Sequence, residues 1–134
     1  MINQERLRVG SKAAVSLPVL RAILVAATSA MPFDEDFYSF TYPDLRDAHE
    51  AGHVADLRTH FVEEGYFEGR FGAKPDVDET FYRKTYPDVA AAVAKGDVKS
   101  GLDHYMRAGA FEGRFANPED METVKQWNAL LGRK

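Results

Sequence analysis

The chain has 134 residues, of which 45% are hydrophobic, so it suits one small domain or two small units that share a core. It contains no cysteine, which excludes disulfides and thiolate chemistry and fits a cytoplasmic location, with the cell envelope or secretion as the alternative. Residues 1–25 carry a charge of +3 and residues 121–134 carry +2, so the centre is strongly acidic within a net charge of −4, and we predict no nucleic-acid partner.

The first 32 residues form an N-terminal segment whose most apolar part is Leu17–Met31. This stretch is too short to cross a bilayer and contains Arg21, so we predict no membrane span. A basic stretch precedes it and Ala-Thr-Ser-Ala lies near its end, as in a signal peptide, but Arg21 within the apolar run argues against one. We predict an apolar helix that packs in the core or forms a dimer interface.

One phrase of the sequence occurs twice, 44 residues apart. Residues 34–71 align with residues 78–115 without a gap, and 18 of the 38 aligned positions are identical. A period of this length is typical of repeated supersecondary units. We predict repeat 1 at residues 33–76 and repeat 2 at residues 77–118, followed by a C-terminal helix at residues 119–134, all in one compact domain.

Each repeat has the pattern of three short helices. The predicted fold class is therefore all-α, with two pseudo-symmetric three-helix repeats of 44 residues between N- and C-terminal helices. The first helix opens on acidic residues, at Asp34–Phe40 and at Asp78–Lys84. Thr41 and Thr85 are predicted N-caps of the second helix, which in repeat 2 spans Pro87–Lys95.

The third helix of repeat 2 is predicted at Val98–Ala108, where apolar residues recur on one face and Gly109 follows. Both repeats then read Phe-Glu-Gly-Arg-Phe, in which the glycine suits a turn with a positive φ. We predict that the arginine of this motif, Arg70 or Arg114, pairs with the aspartate of the Tyr-Pro-Asp motif, because a guanidinium matches a carboxylate in shape.

The C-terminal segment begins with a strong helix start, because Asn117 is a good N-cap and the proline after it suits a first turn. Val124, Trp127 and Leu131 then share one face of the helix. We predict Trp127 to be an anchor in the core or in an interface. This face and residues 17–31 offer more apolar surface than a small domain buries alone, which predicts a homodimer.

His60 and His104 occupy equivalent positions of the two repeats. A metal site would need further ligands at suitable spacing, so we predict no metal and expect each histidine to bond a backbone carbonyl. Glu68 and Glu112 could form a carboxylate pair, but a repeat places the same groups in the same surroundings, whereas catalysis needs groups with different pKa values. No phosphate loop or nucleophile motif is present, so we predict no catalytic residue, no cofactor and no enzyme activity.

Among the possible ligands, a glycan is the one that the side chains of the repeats indicate most specifically. Binding sites combine apolar and aromatic faces with a few placed polar groups, and the repeats contain side chains of both types. The candidate ligand-binding residues are Tyr38, Tyr42, His60, Arg70, Tyr82, Tyr86, His104 and Arg114.

The pattern F-Y-x-x-x-Y-P-D-[VL]-x-x-A-x-x-x-G, followed by H-[FY]-x-x-x-G-x-x-E-G-R, occurs in both copies within residues 33–118. It resembles a tandem helical repeat of bacterial proteins, found beside glycosyltransferases and methyltransferases of surface-polysaccharide synthesis and in large exported calcium-binding repeat proteins. The resemblance implies a non-enzymatic interaction module of surface-polysaccharide synthesis or attachment that binds a protein partner. Direct binding of an envelope or capsular glycan is the alternative, and a small glycan hydrolase is a remote one.

Overall fold

The computed structural model describes residues 14–132, which contain eight α-helices, two π-helical segments and no β-strand. The predicted all-α class is therefore confirmed for the described residues. They divide into two compact units, at residues 14–74 and 75–132, and each is described by itself. Within residues 14–132, no helix has both the length and the apolar character needed to cross a membrane. The basic stretch at residues 1–13 and the last two residues lie outside the described part.

The first unit contains an apolar helix and repeat 1. Its elements in chain order are α1 at Leu17–Ser29, α2 at Glu35–Thr41, α3 at Pro43–Glu50, α4 at Leu57–His60 and the π-helical segment π1 at Phe61–Gly65. Helix α4 continues directly into π1, where the Tyr66 amide donates to the Phe61 carbonyl at 2.8 Å. A hydrogen bond across five residues makes this turn wider than that of an α-helix.

The second unit contains repeat 2 and the C-terminal helix. Its elements are α5 at Glu79–Thr85, α6 at Pro87–Lys95, α7 at Gly101–His104, the π-helical segment π2 at Tyr105–Gly109 and α8 at Pro118–Leu130. The Ala110 amide donates to the Tyr105 carbonyl at 3.0 Å, so the wide turn recurs. A single compact domain with pseudo-symmetric repeats stays a prediction.

The first helix of each repeat begins at an aspartate. One side-chain oxygen of Asp34 accepts a hydrogen bond from the Phe37 amide at 2.9 Å, and Asp78 accepts one from the Phe81 amide at 2.8 Å. Each carboxylate satisfies an amide that has no partner within its helix. The predicted acidic helix starts are therefore confirmed.

The predicted threonine caps of the second helix are wrong. Thr41 and Thr85 are the last residues of α2 and α5. The chain leaves the helical conformation one residue later, at Tyr42 and Tyr86, each with a φ of −121°. The residue before a proline is driven out of the helical region, so the break falls at the tyrosine of Tyr-Pro-Asp.

The predicted start of the third helix is also wrong, because α7 begins at Gly101 and Val98 lies before it. Ser100 has extended backbone and its hydroxyl accepts from the Asp103 amide at 3.0 Å, which places the N-cap there. Asp56 does the same before α4, where it accepts from the Thr59 amide at 2.6 Å.

Each unit buries a small core around one tyrosine of its first helix. In the first unit Tyr38, Leu45, Leu57 and Phe61 are buried together. The second unit buries Tyr82, Val89 and Ala116. A backbone hydrogen bond joins the start of each repeat to its end, from the Asp34 amide to the Gly72 carbonyl at 2.9 Å and from the Asp78 amide to the Ala116 carbonyl at 3.1 Å.

The C-terminal helix starts as expected but does not reach a core. Asn117 accepts from the Asp120 amide at 2.9 Å, so its predicted capping role is confirmed, and its Nδ2 donates to the Asp76 carbonyl at 3.0 Å. No described residue of α8 is buried, and Trp127 is 61% exposed. The prediction that Trp127 is a core residue is therefore wrong, and its role as an interface anchor stays a prediction.

Candidate functional site

In each repeat a buried tyrosine meets the histidine predicted as a site residue. Tyr38 on α2 is fully buried, and its hydroxyl forms a hydrogen bond of 3.2 Å with Nδ1 of His60. Burial disfavours the charged phenolate and raises the pKa of Tyr38 to about 12. The prediction of a backbone carbonyl partner for His60 is wrong, because Nδ1 of His60 forms its hydrogen bond with the Tyr38 hydroxyl.

The second unit contains the same pair. The Tyr82 hydroxyl lies 3.1 Å from Nδ1 of His104, and burial raises the pKa of Tyr82 to about 12. The chain approaches both hydroxyls at a glycine, Gly65 in the first unit and Gly109 in the second. A side chain at either glycine would overlap with the tyrosine, so these positions leave room only for hydrogen.

The second cluster in the first unit surrounds an arginine. Arg70 donates through Nη1 and Nη2 to the two carboxylate oxygens of Asp44 at 3.2 and 2.9 Å, and through Nε to Glu68 at 2.7 Å. The predicted pairing with the Tyr-Pro-Asp aspartate is confirmed. The guanidinium also lies 4.9 Å from the ring centre of Tyr42, whose hydroxyl accepts from the Phe71 amide at 2.8 Å. We call these five residues the first arginine cluster.

The second arginine cluster repeats these contacts 44 residues later. Arg114 donates to both oxygens of Asp88 at 2.9 and 2.7 Å and to Glu112 at 2.6 Å. Its guanidinium lies 4.9 Å from the ring centre of Tyr86, and the Tyr86 hydroxyl accepts from the Phe115 amide at 2.8 Å. The Phe-Glu-Gly-Arg-Phe turn is thus fastened to the Tyr-Pro-Asp break in both units.

The ion pairs of the clusters lie at the protein surface. Hydrogen bonds from Arg70 hold the pKa of Asp44 below its usual value, and those from Arg114 do the same for Asp88. The arginine side chains are about one-fifth exposed, whereas the two aspartates are more than half exposed. Water therefore weakens the charge attraction, and the planar fit of the fork contributes mainly geometry.

The structure brings the eight predicted ligand-binding residues into two groups of four, one in each unit. The first group is Tyr38, Tyr42, His60 and Arg70, and the second is Tyr82, Tyr86, His104 and Arg114.

These groups are largely occupied by contacts within the chain. The rings of Tyr38 and Tyr82 are fully buried and offer no face to a sugar, while an arginine covers the outer tyrosine of each group. Within residues 14–132, every buried side-chain nitrogen or oxygen has a hydrogen-bond partner, and no three His, Asp or Glu side chains are grouped to hold a metal. The arrangement is suited to fixing a turn on a helix.

Several exposed apolar side chains lie on α1 and α8, outside the repeats. Leu17, Leu20 and Ile23 on α1 are exposed, as are Trp127 and Leu130 on α8. The sequence carried a signal for both, since residues 17–31 are the most apolar stretch of the chain and Val124 and Trp127 recur on one face of the C-terminal helix. It did not show that most of the apolar side chains of the two helices would stay exposed.

A shallow groove runs beside α1. Its lining residues are Pro18, Arg21, Ala22, Val25, Glu63 and Glu64. Arg21 donates to the Glu63 carbonyl, pairs with Glu64 at 3.6 Å and lies 4.5 Å from the ring centre of Phe67. The arginine that interrupts the apolar run in the sequence therefore ties α1 to π1, a role that only the fold reveals.

Comparisons of this chain with family models, with curated proteins and with solved structures found no match.

Proposed function

We propose that this chain is a non-enzymatic interaction module that binds a protein partner through α8. Its proposed setting is bacterial surface-polysaccharide synthesis or attachment, as the resemblance of the repeat motifs implies. We propose a cytoplasmic location, which the lack of cysteine fits, with the cell envelope or secretion as the alternative. The repeats serve as a scaffold in this proposal, because their tyrosines, histidines and arginines already have partners inside the chain. The proposed binding surface is on α8, none of whose described residues is buried.

The observation that carries the proposal is the apolar face of α8. Val124 and Trp127 on α8 and Leu131 directly after it stand at positions i, i+3 and i+7, and all three are exposed. This spacing is that of a helix that lies in the apolar groove of another protein. Tryptophan is also among the residues that contribute most to protein interfaces, because it buries a large rigid area.

Glycan binding is less well supported than protein binding. A sugar needs an exposed aromatic face, but Tyr38 and Tyr82 are fully buried and Tyr42 and Tyr86 are covered by arginines. The exposed carboxylates of the arginine clusters would have to leave their guanidinium to bind a hydroxyl group. We therefore place the partner on α8 and keep an envelope glycan as the competing outcome of the test.

The test compares partner recovery by three forms of the full chain in the bacterium that makes it. The forms are the unchanged chain, Trp127→Ala and the matched control Phe40→Ala, which removes an aromatic side chain that is also exposed. We expect one protein of polysaccharide synthesis with the unchanged chain and with Phe40→Ala. Its recovery with Trp127→Ala should fall by about tenfold or more, because an interface anchor is lost.

Fluorescence then tests whether α8 itself is buried by the purified partner. The chain has one tryptophan, so its emission reports on α8 alone. We expect a blue shift on titration with the partner as the indole leaves water. Equal recovery with Trp127→Ala and no shift would contradict the proposal. Saturable heat on titration with the host's capsular glycan, with no protein recovered, would establish the competing function instead.

A further inference from the structure

Helix α1 has one side attached to the first unit and an opposite side that is exposed. The attached side is marked by Arg21, which contacts Glu63 and Phe67, and by Thr28, the one buried residue of the helix. These two residues are seven positions apart, so they lie on the same side of an α-helix. Leu17 stands four positions before Arg21 and therefore belongs to the attached side as well.

The opposite side carries Val19, Ile23, Ala26 and Ala27, which stand at positions i, i+4, i+7 and i+8. All four are exposed, Val19 by 52% and Ile23 by 56%. We call these residues, together with Leu20 at their border, the α1 outer face. It contains no polar side chain, whereas the outer side of a surface helix is normally polar. The face is therefore suited to contact with another apolar surface.

The side chains of the α1 outer face are ordered by size along the helix. Val19 and Leu20 come first, Ile23 stands in the middle, and Ala26 and Ala27 follow. Two antiparallel copies with a twofold axis at Ile23 place Val19 of one copy opposite Ala27 of the other. The same symmetry places Leu20 opposite Ala26. Large side chains then meet small ones along the whole contact, which permits close packing. A parallel pair would oppose alanine to alanine and leave a gap.

The charges of α1 also favour a second copy over other occupants. Arg21 is the one charged residue of α1, and it pairs with Glu64 on the attached side. A helix that lies on a lipid surface has a polar face rich in lysine and arginine, which α1 lacks. A charged partner surface would find no opposite charge on the α1 outer face. A second copy brings the same uncharged surface, so the contact buries no charge.

We propose that two copies of this chain pair through the α1 outer face, as antiparallel helices with a twofold axis at Ile23. A helix of 13 residues is about 20 Å long and about 10 Å wide, so the pair buries less than the roughly 1,200 Å² of a stable interface. The dimer is therefore weak, and its population depends on concentration. Each dimer presents two copies of α8, which adds avidity to partner binding. This consequence, unlike the pairing itself, rests on the proposed function of α8.

The first test is sedimentation equilibrium of the full chain. We expect mostly monomer at about 1 µM and mostly dimer at about 500 µM, as for a small interface. Residues 14–74 contain ten Asp or Glu against five Lys or Arg, so two copies repel each other at long range. Raising the salt from about 0.05 M to about 0.5 M screens this repulsion and should tighten the dimer by about twofold or more. A dimer that weakens instead would be held by charges and not by the α1 outer face.

An exchange of two side chains tests the antiparallel register. Val19→Ala leaves a void opposite Ala27, and Ala27→Val crowds Val19, so each should weaken the dimer by about threefold or more. The double variant Val19→Ala/Ala27→Val again sets a large side chain against a small one. Its dimer should be within about twofold of that of the unchanged chain. Losses that simply add in the double variant would overturn the antiparallel pair.

A charge on the twofold axis is the strongest disruption. Ile23→Glu sets two carboxylates against each other and should weaken the dimer by about tenfold or more. Phe40→Glu is the matched control, because it introduces the same charge at an exposed residue of α2 in the same unit and should leave the dimer unchanged. Ile23 is exposed, so its variant should keep its circular dichroism and Tm. If it does not fold, Leu20→Ser takes its place in the comparison.

Three further results would overturn the proposal. One is a monomer throughout the concentration range, and another is equal dimerisation by Ile23→Glu and Phe40→Glu. The third is a dimer that Trp127→Ala loses and Ile23→Glu keeps, which would assign the contact to α8. The α8 proposal is tested by recovery of a different protein, so its failure and the failure of this proposal are distinguishable.

Discussion

The unit at residues 14–74 and the unit at residues 75–132 hold their third helix with different side chains. In the first, Leu57 at the start of α4 is buried in the core. In the second, Gly101 stands at that position, and the carboxylate of Glu79 accepts hydrogen bonds from the amides of Gly101 and Leu102, each at 2.9 Å. An apolar contact in one unit is thus replaced by a charged helix cap in the other.

The end of the repeat shows a second exchange. The ring of Phe61 lies against Gly72, and a Cβ at Gly72 would come within 2.6 Å of that ring. The matching residues of the second unit are Tyr105, which is half-buried, and Ala116, which is buried. The first unit thus combines Gly72 with a buried aromatic ring, whereas the second combines the larger Ala116 with an aromatic ring that is only half-buried.

The polar contacts do not differ in this way. The tyrosine–histidine bond and the whole arginine cluster recur with the same residue types and nearly the same distances. At apolar positions a larger side chain in one place can be balanced by a smaller one beside it. A bidentate ion pair, or a hydroxyl packed against a glycine, permits few substitutes. The identical residues of the two repeats therefore mark the parts whose geometry is most restricted.

The largest effect is expected where the tyrosine hydroxyl meets its glycine. Gly65→Ala and Gly109→Ala would each place a methyl group on a buried hydroxyl, so we expect each to lower the free energy of unfolding by about 3 kcal/mol. Urea unfolding followed by circular dichroism measures this loss.

Removing the hydroxyl is the control for this prediction. In Gly65→Ala with Tyr38→Phe, the next ring carbon lies 3.4 Å from the new methyl group, an ordinary contact. In Gly109→Ala with Tyr82→Phe the corresponding distance is 3.2 Å. We expect partial rescue in both units and more of it in the first. Simple addition of the single losses would show that the overlap is not the cause.

A smaller loss is expected at the end of the repeat. Gly72→Ala forces the buried Phe61 ring to shift and should cost about 2 kcal/mol of the free energy of unfolding. The reverse exchange in the second unit, Ala116→Gly, removes one buried methyl group and frees the chain, which should cost about 1 kcal/mol. Equal losses would mean that the two repeat ends are packed alike.

The charged cap of α7 should matter in one unit only. Glu79→Ala removes two hydrogen bonds to backbone amides, so we expect a loss of about 1.5 kcal/mol in the free energy of unfolding. Glu35 stands at the matching position of the first unit and is exposed. Glu35→Ala is therefore the matched control, with an expected loss under about 0.5 kcal/mol. Similar losses from both variants would refute the idea that the units hold their third helices differently.

The smallest effect is expected from the arginine clusters. Arg70→Lys and Arg114→Lys keep the charge but lose the fork, and their partners are exposed, so each should cost at most about 1 kcal/mol. The pKa of Asp44 and of Asp88 is lowered below 3.8 in the folded chain, so this stabilisation is present above that pH and is lost as the pH falls below it. The Tm difference between the unchanged chain and Arg70→Lys should therefore narrow in acid. A difference that widens instead would contradict the assigned pairing.

Much of this fold follows from local sequence signals. The helix starts at Asp34, Asp78 and Asn117 are capping residues whose effect acts within three positions, so no tertiary information is needed to place them. The pairing of Arg70 with Asp44 joins residues 26 apart, but it could be predicted because both residue types recur in the second repeat. The spacing of two residues along the chain does not show that they are in contact, but their joint recurrence in the second repeat indicates it.

Other contacts depend on packing that no local rule specifies. The bond between Tyr38 and His60 requires the wide turn of π1 and the close approach of Gly65, and nothing in the sequence of α4 signals a π-helical segment. The sequence predicts Trp127 to be an anchor in a core or in an interface, because tryptophan usually buries a large area, and it does not choose between the two. In the structure Trp127 is 61% exposed, and the buried apolar residues of the described chain all come from the two repeats.

The central claim is that the repeats form a scaffold and that binding occurs on α8. Its most direct test is the amount of partner recovered per folded chain by the double variant Arg70→Lys/Arg114→Lys, measured beside Trp127→Ala. We expect the double variant to have a lower Tm and to recover the partner as well as the unchanged chain does, whereas Trp127→Ala should keep its Tm and lose the partner. Loss of the partner by the double variant, with recovery retained by Trp127→Ala, would contradict it.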